Sequence, residues 1–245
     1  MKILLSNDDG YNQPGIRILE EILKDYGDVT VAAPHKNMSA CSSALSVHSM
    51  VDVKQIDTKH YKIKGTPADC IHIVSRGLMR NLPDIVISGI NYGSNLGDDV
   101  IYSGTVAAAI EGRFCKYAPF AISITSKKPK YTDDLKEKIN FVFNHLFKKK
   151  YKNKNIYNIN IPDIPFSKIK GIKYTILGNR QISKKPIIIK NKNTISAEIG
   201  PVGNSVKSTK NTDFKAIQDK YISITPLTTN MYDSKKIINT IKLKK

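Results

Sequence analysis

Tryptophan is absent from this chain, cysteine occurs three times, and arginine only at Arg17, Arg76, Arg80, Arg113 and Arg180. Each scarcity excludes something. Cys41, Cys70 and Cys115 are odd in number and far apart, which does not suit a disulfide framework and reads as reduced thiols in a cytoplasmic protein. No apolar run approaches the ~20 residues that a membrane helix needs. Lys2 precedes only Ile3-Leu4-Leu5 before the polar Ser6-Asn7-Asp8-Asp9, so no signal peptide is expected. Acidic residues are few, 21 against 39 Lys and Arg, and the formal net charge is +18. Such a balance suggests nucleic acid. Yet five arginines leave 34 lysines, and arginine is the side chain that reads phosphates and bases with two parallel hydrogen bonds. Lysine, asparagine and isoleucine are abundant together and share A/T-rich codons, so a biased genome accounts for the surface. No specific nucleic-acid partner and no membrane partner are expected, although a basic surface still attracts anionic substrates.

A chain of 245 residues suits one large domain with a sizeable core. Its first ~125 residues alternate short apolar strands with helical patterns, which predicts a parallel sheet in an α/β layer fold. Strands are expected at 2–6, 28–33, in "PDIVISGIN" and in "PFAISIT". "GIRILEEILKDY" (15–26) carries the helical stripe Ile16, Leu19, Ile22 and Leu23. "TPADCIHIVSRGLM" opens as a helix with Thr66 as N-cap and Pro67 in first position. "VHSMVDVKQI" and "HYKIKG" read as a strand pair, and "SGTVAAAIEGRF" as a strong helix. Beyond Lys127 the texture changes. An amphipathic helix, "TDDLKEKINFVFNHLFKKK", is followed by the strand "IYNINIP", then by β-like runs in "GIKYTILG", a hairpin over 187–199, "KYISITPL", and a last helix "DSKKIINTIKL". The basic run 147–155 reads as a solvated helix end and loop.

In open α/β sheets ligands gather beyond the carboxyl ends of the strands. Three strands here run into polar loops at that edge: Asn7-Asp8-Asp9-Gly10, Asn37-Met38-Ser39-Ala40 and Ser88-Gly89-Ile90-Asn91. They offer carboxylates, a hydroxyl and amides, and no cysteine or histidine. An oxygen-only set suits a hard divalent cation such as Mg²⁺ or Mn²⁺ rather than Zn²⁺. A cation would also resolve the repulsion between Asp8 and Asp9, and Gly10 would let the backbone turn after them. The plainer alternative is a turn that caps the next helix. A fourth piece favours the site: Ser103-Gly104-Thr105 opens a helix with small residues and two hydroxyls, where an anion can approach free backbone N–H groups. Cation site and anion cradle on one rim point to a phosphate ester handled with metal assistance.

Other patterns fail. Ile16-Arg17 follow Gly10 and Gly15 where a P-loop needs Lys-Ser/Thr, and Gly89, Gly93 and Gly97 lack the dinucleotide-binding spacing. Gln13 stands where an EF-hand from Asp8 needs glycine. His35, His48, His60, His72 and His145 show no metal spacing; His35 lies near the rim and reads as a surface residue.

"ILLSNDDG", "APHKNMSA", "GTPADC", "PDIVISGIN", "NLGDDVIYSGTVAAAIEGRF" and the later "TDF" with "YISITPL" together resemble the SurE family of 5′/3′-nucleotidases, also called survival protein E. The resemblance implies a Rossmann-like three-layer α/β/α core, residues 1–126 holding the active site. Residues 127–245 would add the final core elements and a β-rich C-terminal extension used in homodimer or homotetramer assembly. It implies removal of phosphate from nucleoside monophosphates with one divalent metal ion, Mg²⁺ or Mn²⁺, and in some members cleavage of short polyphosphate. By motif position the metal ligands fall on Asp8, Asp9, Ser39 and Asn91, with Asp8 and Asp9 catalytic, and the phosphate loop on Asn95, Ser103, Gly104 and Thr105. The chain departs from the family pattern at His35-Lys36 and at 40–44, where Ser43 replaces the usual asparagine. Rival classes are a non-catalytic nucleotide- or anion-binding module of the same fold and a basic nucleic-acid-binding protein.

Overall fold

The computed structural model describes residues 1–148, 155–200, 202–206 and 210–231. The expected last helix (233–243) and most of the basic run 147–155 fall outside them. In chain order the elements are β1 (Lys2–Ser6), α1 (Pro14–Leu23), β2 (Asp28–Pro34), β3 (Val53–Gln55), β4 (His60–Ile63), α2 (Pro67–Ile73), β5 (Ile85–Tyr92) and α3 (Gly104–Glu111). Then follow β6 (Phe120–Ile124), α4 (Leu135–Lys148), β7 (Ile156–Ile161), β8 (Ile172–Tyr174), β9 (Ile187–Lys190), β10 (Ile195–Glu198), α5 (Asp213–Gln218) and β11 (Ile222–Leu227).

Nine strands form one sheet in the order β3-β4-β2-β1-β5-β6-β7-β11-β8. β4, β2, β1, β5, β6 and β7 run parallel. β3 pairs antiparallel with β4 at one margin, and β11 pairs antiparallel with β7 near the other. Parallel strands are covered on both faces, which is why they read as near-continuous apolar runs. Alternation then sorts the side chains. Ile3, Leu5, Ile85, Ile87, Ile122, Ile124, Ile159 and Ile161 share one cluster with Ile16 and Leu19 of α1 and with Ile139 and Phe143 of α4. Leu4, Val86 and Ala121 face the other way, against α2 or α3. Fully burying one such Leu, Ile or Phe contributes ~1.5–3 kcal/mol, so dozens of them carry the fold.

Local signals explain most boundaries. Pro14 opens α1, where its missing N–H has no helical partner to lose. Thr66 caps α2 in a full capping box with Asp69, and a π-helical turn over Val74–Leu78 extends it. The β9–β10 hairpin forms a separate two-stranded ribbon. One element was not expected: α5, six residues capped by Thr212, is too short for a helical period to show. Among the described residues no helix is long and apolar enough to cross a membrane, and the three cysteines are free.

Candidate active site

β1 delivers the first carboxylates at the carboxyl edge of the sheet. The Asn7 side chain closes the turn, donating to the Gly10 carbonyl at 3.0 Å and accepting the Gly10 N–H at 3.2 Å. Gly10 takes φ +115°, and a Cβ there would lie 3.2 Å from the Lys36 carbonyl carbon, so glycine is needed both for the turn and for the loop after β2 to close over it. That loop is tied down by the Met38 N–H, which donates to the Asp8 carbonyl at 2.8 Å. Ser39 follows at the rim, exposed, its N–H bonded to the Asn37 side-chain oxygen at 2.7 Å.

β5 reaches the same rim through a bulge between Ser88 and Asn91. Gly89 has φ +136° there, and a Cβ would sit 2.4 Å from the Ile122 carbonyl oxygen. Beyond the bulge the Asn91 amide donates to the Gly93 carbonyl at 2.7 Å, which leaves Oδ1 as the end available to a cation. The Tyr92 N–H supports the Asp9 carboxylate.

α3 supplies the third wall. Ser103 caps it, accepting the Val106 N–H at 3.1 Å. Gly104 lies directly on Asp8: a Cβ would approach the Asp8 Cβ to 2.7 Å. The Thr105 hydroxyl donates to Asp8 Oδ1 at 2.6 Å, and the Thr105 N–H adds support. Asn95 donates its amide N–H groups to Ser123 Oγ at 2.9 Å and to Thr105 Oγ1 at 3.4 Å. The helix start expected to cradle an anion is therefore already joined to the carboxylate pair. Thr105 serves Asp8 and Val106 serves the cap, so among the described residues Gly104 keeps a first-turn N–H with no protein partner.

Asp8, Asn95, Gly104 and Thr105 are thus in direct contact or joined by hydrogen bonds, with Ser103 capping the same helix; Ser39 lines one cleft with Asp9, and Asn91 precedes Tyr92, whose N–H supports Asp9. Asp8 is 4% exposed, and burial raises its pKa against the opposing hydrogen bonds from Thr105. Burial first, then the charge of Asp8, pushes Asp9 up to about 6. No Lys, Arg or His of the described residues forms an ion pair with either carboxylate. Two adjacent, desolvated and unpaired acids beside a hydroxyl and an amide oxygen fit a hard dication. Among the described residues no group of three or more His, Cys, Asp or Glu side chains is arranged so that it could hold a metal ion.

Sequence reasoning missed the residues behind this rim. Ser123, Asn158 and Asn160 are fully buried and bond to Asn95, and the fully buried Asp213 bonds to Gly97. For Ser123, Asn158 and Asn160 the signal was present in "AISIT" and "YNINIP", where polar and apolar residues alternate in strands that are buried on both faces.

Comparison with known proteins shows the family. The family model for Survival protein SurE matches residues 3–184. A 5′-nucleotidase SurE from Histophilus somni (strain 2336) is 43% identical over 234 residues, covering 94% of both chains. Those from Legionella pneumophila (strain Paris) and Idiomarina loihiensis are 42% and 40% identical, each over 94% of this chain and 92% and 93% of the relative. The crystal structure of the SurE protein from Aquifex aeolicus superposes with a TM-score of 0.81 at 34% identity, covering 95% of each chain. A sheet edge carrying the buried Asp8 beside Asp9 against a capped helix start, a family model over residues 3–184 and relatives that cover 94% of the chain lead to one conclusion: the chain belongs to the SurE family.

Proposed function

We propose that this protein is a metal-dependent phosphomonoesterase that hydrolyses nucleoside 5′-monophosphates to nucleoside and phosphate, with 3′-monophosphates and short polyphosphate as further candidate substrates. The observation that carries the reading is the 2.6 Å bond from the Thr105 hydroxyl to Asp8, because it joins a helix N-terminus to the buried first member of a carboxylate pair. Asp8, Asp9, Ser39 and Asn91 would hold one divalent ion, Mg²⁺ or Mn²⁺. When bound, the ion polarises a phosphoryl oxygen and lowers the pKa of its water.

The chain's own groups do the rest. The α3 N-terminus orients the transferring phosphoryl through the Gly104 N–H and the Ser103 hydroxyl, where the helix dipole favours negative charge, while Thr105 holds this helix start against Asp8. The Asn95 amide lies next to Thr105 and can turn one N–H toward the same oxygens, since its 3.4 Å bond to Thr105 is long. Asp8 is fixed by Thr105, so the acidic pair keeps one orientation as substrate arrives. A cleft of ≈ 320 Å³ is lined by Asp9 and Ser39 together with Gln13, Asn37, Tyr92 and Lys127. It suits a nucleoside: Tyr92 offers an aromatic surface, and base–aromatic stacking contributes ~1–3 kcal/mol.

The exposed β9–β10 ribbon supports a homodimer or homotetramer. Ile187, Ile189 and Ile195 are 59%, 59% and 69% exposed, and a lone two-stranded ribbon is marginal without a covering partner. The test of the activity is phosphate release from a nucleotide panel with EDTA and with Mg²⁺ or Mn²⁺ restored. Release that needs the metal is expected; release unaffected by EDTA, or none from any nucleotide, refutes the reading.

A further inference from the structure

The segment 95–97 connects the candidate metal ligands to the start of α3, and its main chain is gripped from beneath by the second half of the protein. The Asn160 side chain takes both polar groups of Asn95: its Oδ1 accepts the Asn95 N–H at 2.9 Å and its Nδ2 donates to the Asn95 carbonyl at 2.9 Å. Asn158 donates to the same carbonyl at 2.8 Å. Two residues on, the Gly97 N–H donates to Asp213 Oδ2 at 2.7 Å, while Asp213 Oδ1 accepts the N–H groups of Gly178 and Phe214 at 2.9 and 2.8 Å. Gly97 sits at φ +68°, and a Cβ there would lie 2.6 Å from the Phe214 ring.

Stability alone does not account for these side chains. Asn158, Asn160 and Asp213 are all fully buried, where an amide or carboxylate is costly unless every polar atom is satisfied. Asn158 is not satisfied: its Oδ1 is buried with no hydrogen-bond partner among the described residues. A native strand retains such an atom for a reason other than packing. The bond that Asn158 does make goes to Asn95, whose side chain leads through Thr105 to Asp8.

The geometry assigns Asn158, Asn160 and Asp213 as positioning residues for the phosphate pocket: they set the path of 95–97, and through it the Asn95 amide and the α3 N-terminus, against the Asp8–Asp9 pair. The assignment rests on the phosphomonoesterase reading for what the pocket binds, not for the contacts themselves. Displacing a positioned group by about 1 Å costs on the order of 10²-fold in rate, whereas cation binding at Asp8, Asp9, Ser39 and Asn91 uses other atoms.

Asn160→Asp keeps the shape and the acceptor but loses the donor to Asn95, and Asp213→Asn is likewise isosteric. Expected in each are a fall in kcat of roughly 10- to 100-fold and clearly weaker binding of inorganic phosphate by calorimetry in the presence of Mn²⁺. Mn²⁺ binding itself should stay near the parent value. Thr175→Val is the structural control, since Thr175 is buried and bonds only within the β8–β11 region, to Ser223 and Thr225. Variants that fold yet keep parental kcat and phosphate affinity overturn the assignment, as do losses no larger than the control's. Should Asn160→Asp fail to fold, Asp213→Asn decides. A parent inert toward every nucleotide refutes the activity reading, but phosphate binding still tests the positioning claim.

Discussion

Toward α1 and α4 the strands of the central sheet present Ile3, Leu5, Ile87, Ile122, Ile159 and Ile224, and there Phe120, Phe143 and Phe147 pack with ring centroids 5.2–5.9 Å apart. Toward α3 the same strands, by the same alternation, present Ser6, Ser88, Ser123, Asn158, Asn160, Ser223 and Thr225, every one of them buried. One face is apolar throughout. The other begins apolar, with Leu4 and Val86, and turns polar toward the rim, at the carboxyl ends of β1, β5, β6 and β7 and at the amino end of the antiparallel β11. A single sheet thus separates two tasks: burial on the α4 face holds the fold together, and hydrogen bonding on the α3 face holds the rim loops in place. Dispersion and desolvation are indifferent to direction, whereas amides and hydroxyls fix atoms at set distances, and a phosphate site needs the second property.

The comparison breaks if a change on one face shows the effect expected of the other. The largest effect belongs to the polar rim: Asp8→Asn should lower phosphate release by at least about 10³-fold, measured under saturating nucleotide and Mn²⁺, while the thermal midpoint of the metal-free protein is kept or rises, since a desolvated charge is removed. Phe143→Ala, on the apolar face, should cost ~3–5 kcal/mol in urea unfolding and leave the rate per folded molecule unchanged. Thr105→Val keeps the shape but removes the donor to Asp8. A loss of roughly 10- to 100-fold in kcat is expected, with about 1–3 kcal/mol of stability for the unmet partner.

Adding Mn²⁺ at about 100 times its Kd should stabilise the parent by ~2.7 kcal/mol; Asp8→Asn should respond less, and Phe143→Ala just as the parent does. The smallest effect lies away from both faces, at His60, which bonds Asp57 at 2.8 Å and Glu20 at 2.9 Å. Burial opposes its charge, but those hydrogen bonds and the two carboxylates outweigh burial and raise its pKa above the ordinary 6.5. A raised histidine contributes fully below about pH 6.5 and loses the contribution as pH rises through its folded value. His60→Gln should therefore destabilise by at most ~1 kcal/mol at pH 5.5 in this partly exposed cluster, and by less at pH 8, read from urea midpoints across that range.

Much of this was legible beforehand. Period-3.6 stripes and apolar runs placed α1, α4 and the parallel strands, because burial leaves a periodic mark on the chain. Thr66 as N-cap and Pro67 in first position marked the start of α2, where the structure adds a capping box with Asp69. Asp8, Asp9 and the Ser103-Gly104-Thr105 helix start stood out because adjacent like charges and small capping residues make little sense without a ligand. Less visible were α5, too short for a period, the roles of Asn158 and Asn160, which look like ordinary strand residues, and that of Asp213, whose "TDF" belongs to the motifs of the family resemblance but carries no role there.

By itself the sequence determined the layer architecture, the capped helix starts and the kind of atoms offered at the rim, since these follow from local sterics and from where apolar side chains repeat. Only the tertiary structure decided that Thr105 would meet Asp8 across 97 residues and that Asn160 would clasp Asn95 across 65. Such distances along the chain carry no period and no local propensity. They arise when the sheet order sets β1, β5, β6 and β7 side by side, and packing then brings side chains distant in sequence within hydrogen-bond reach.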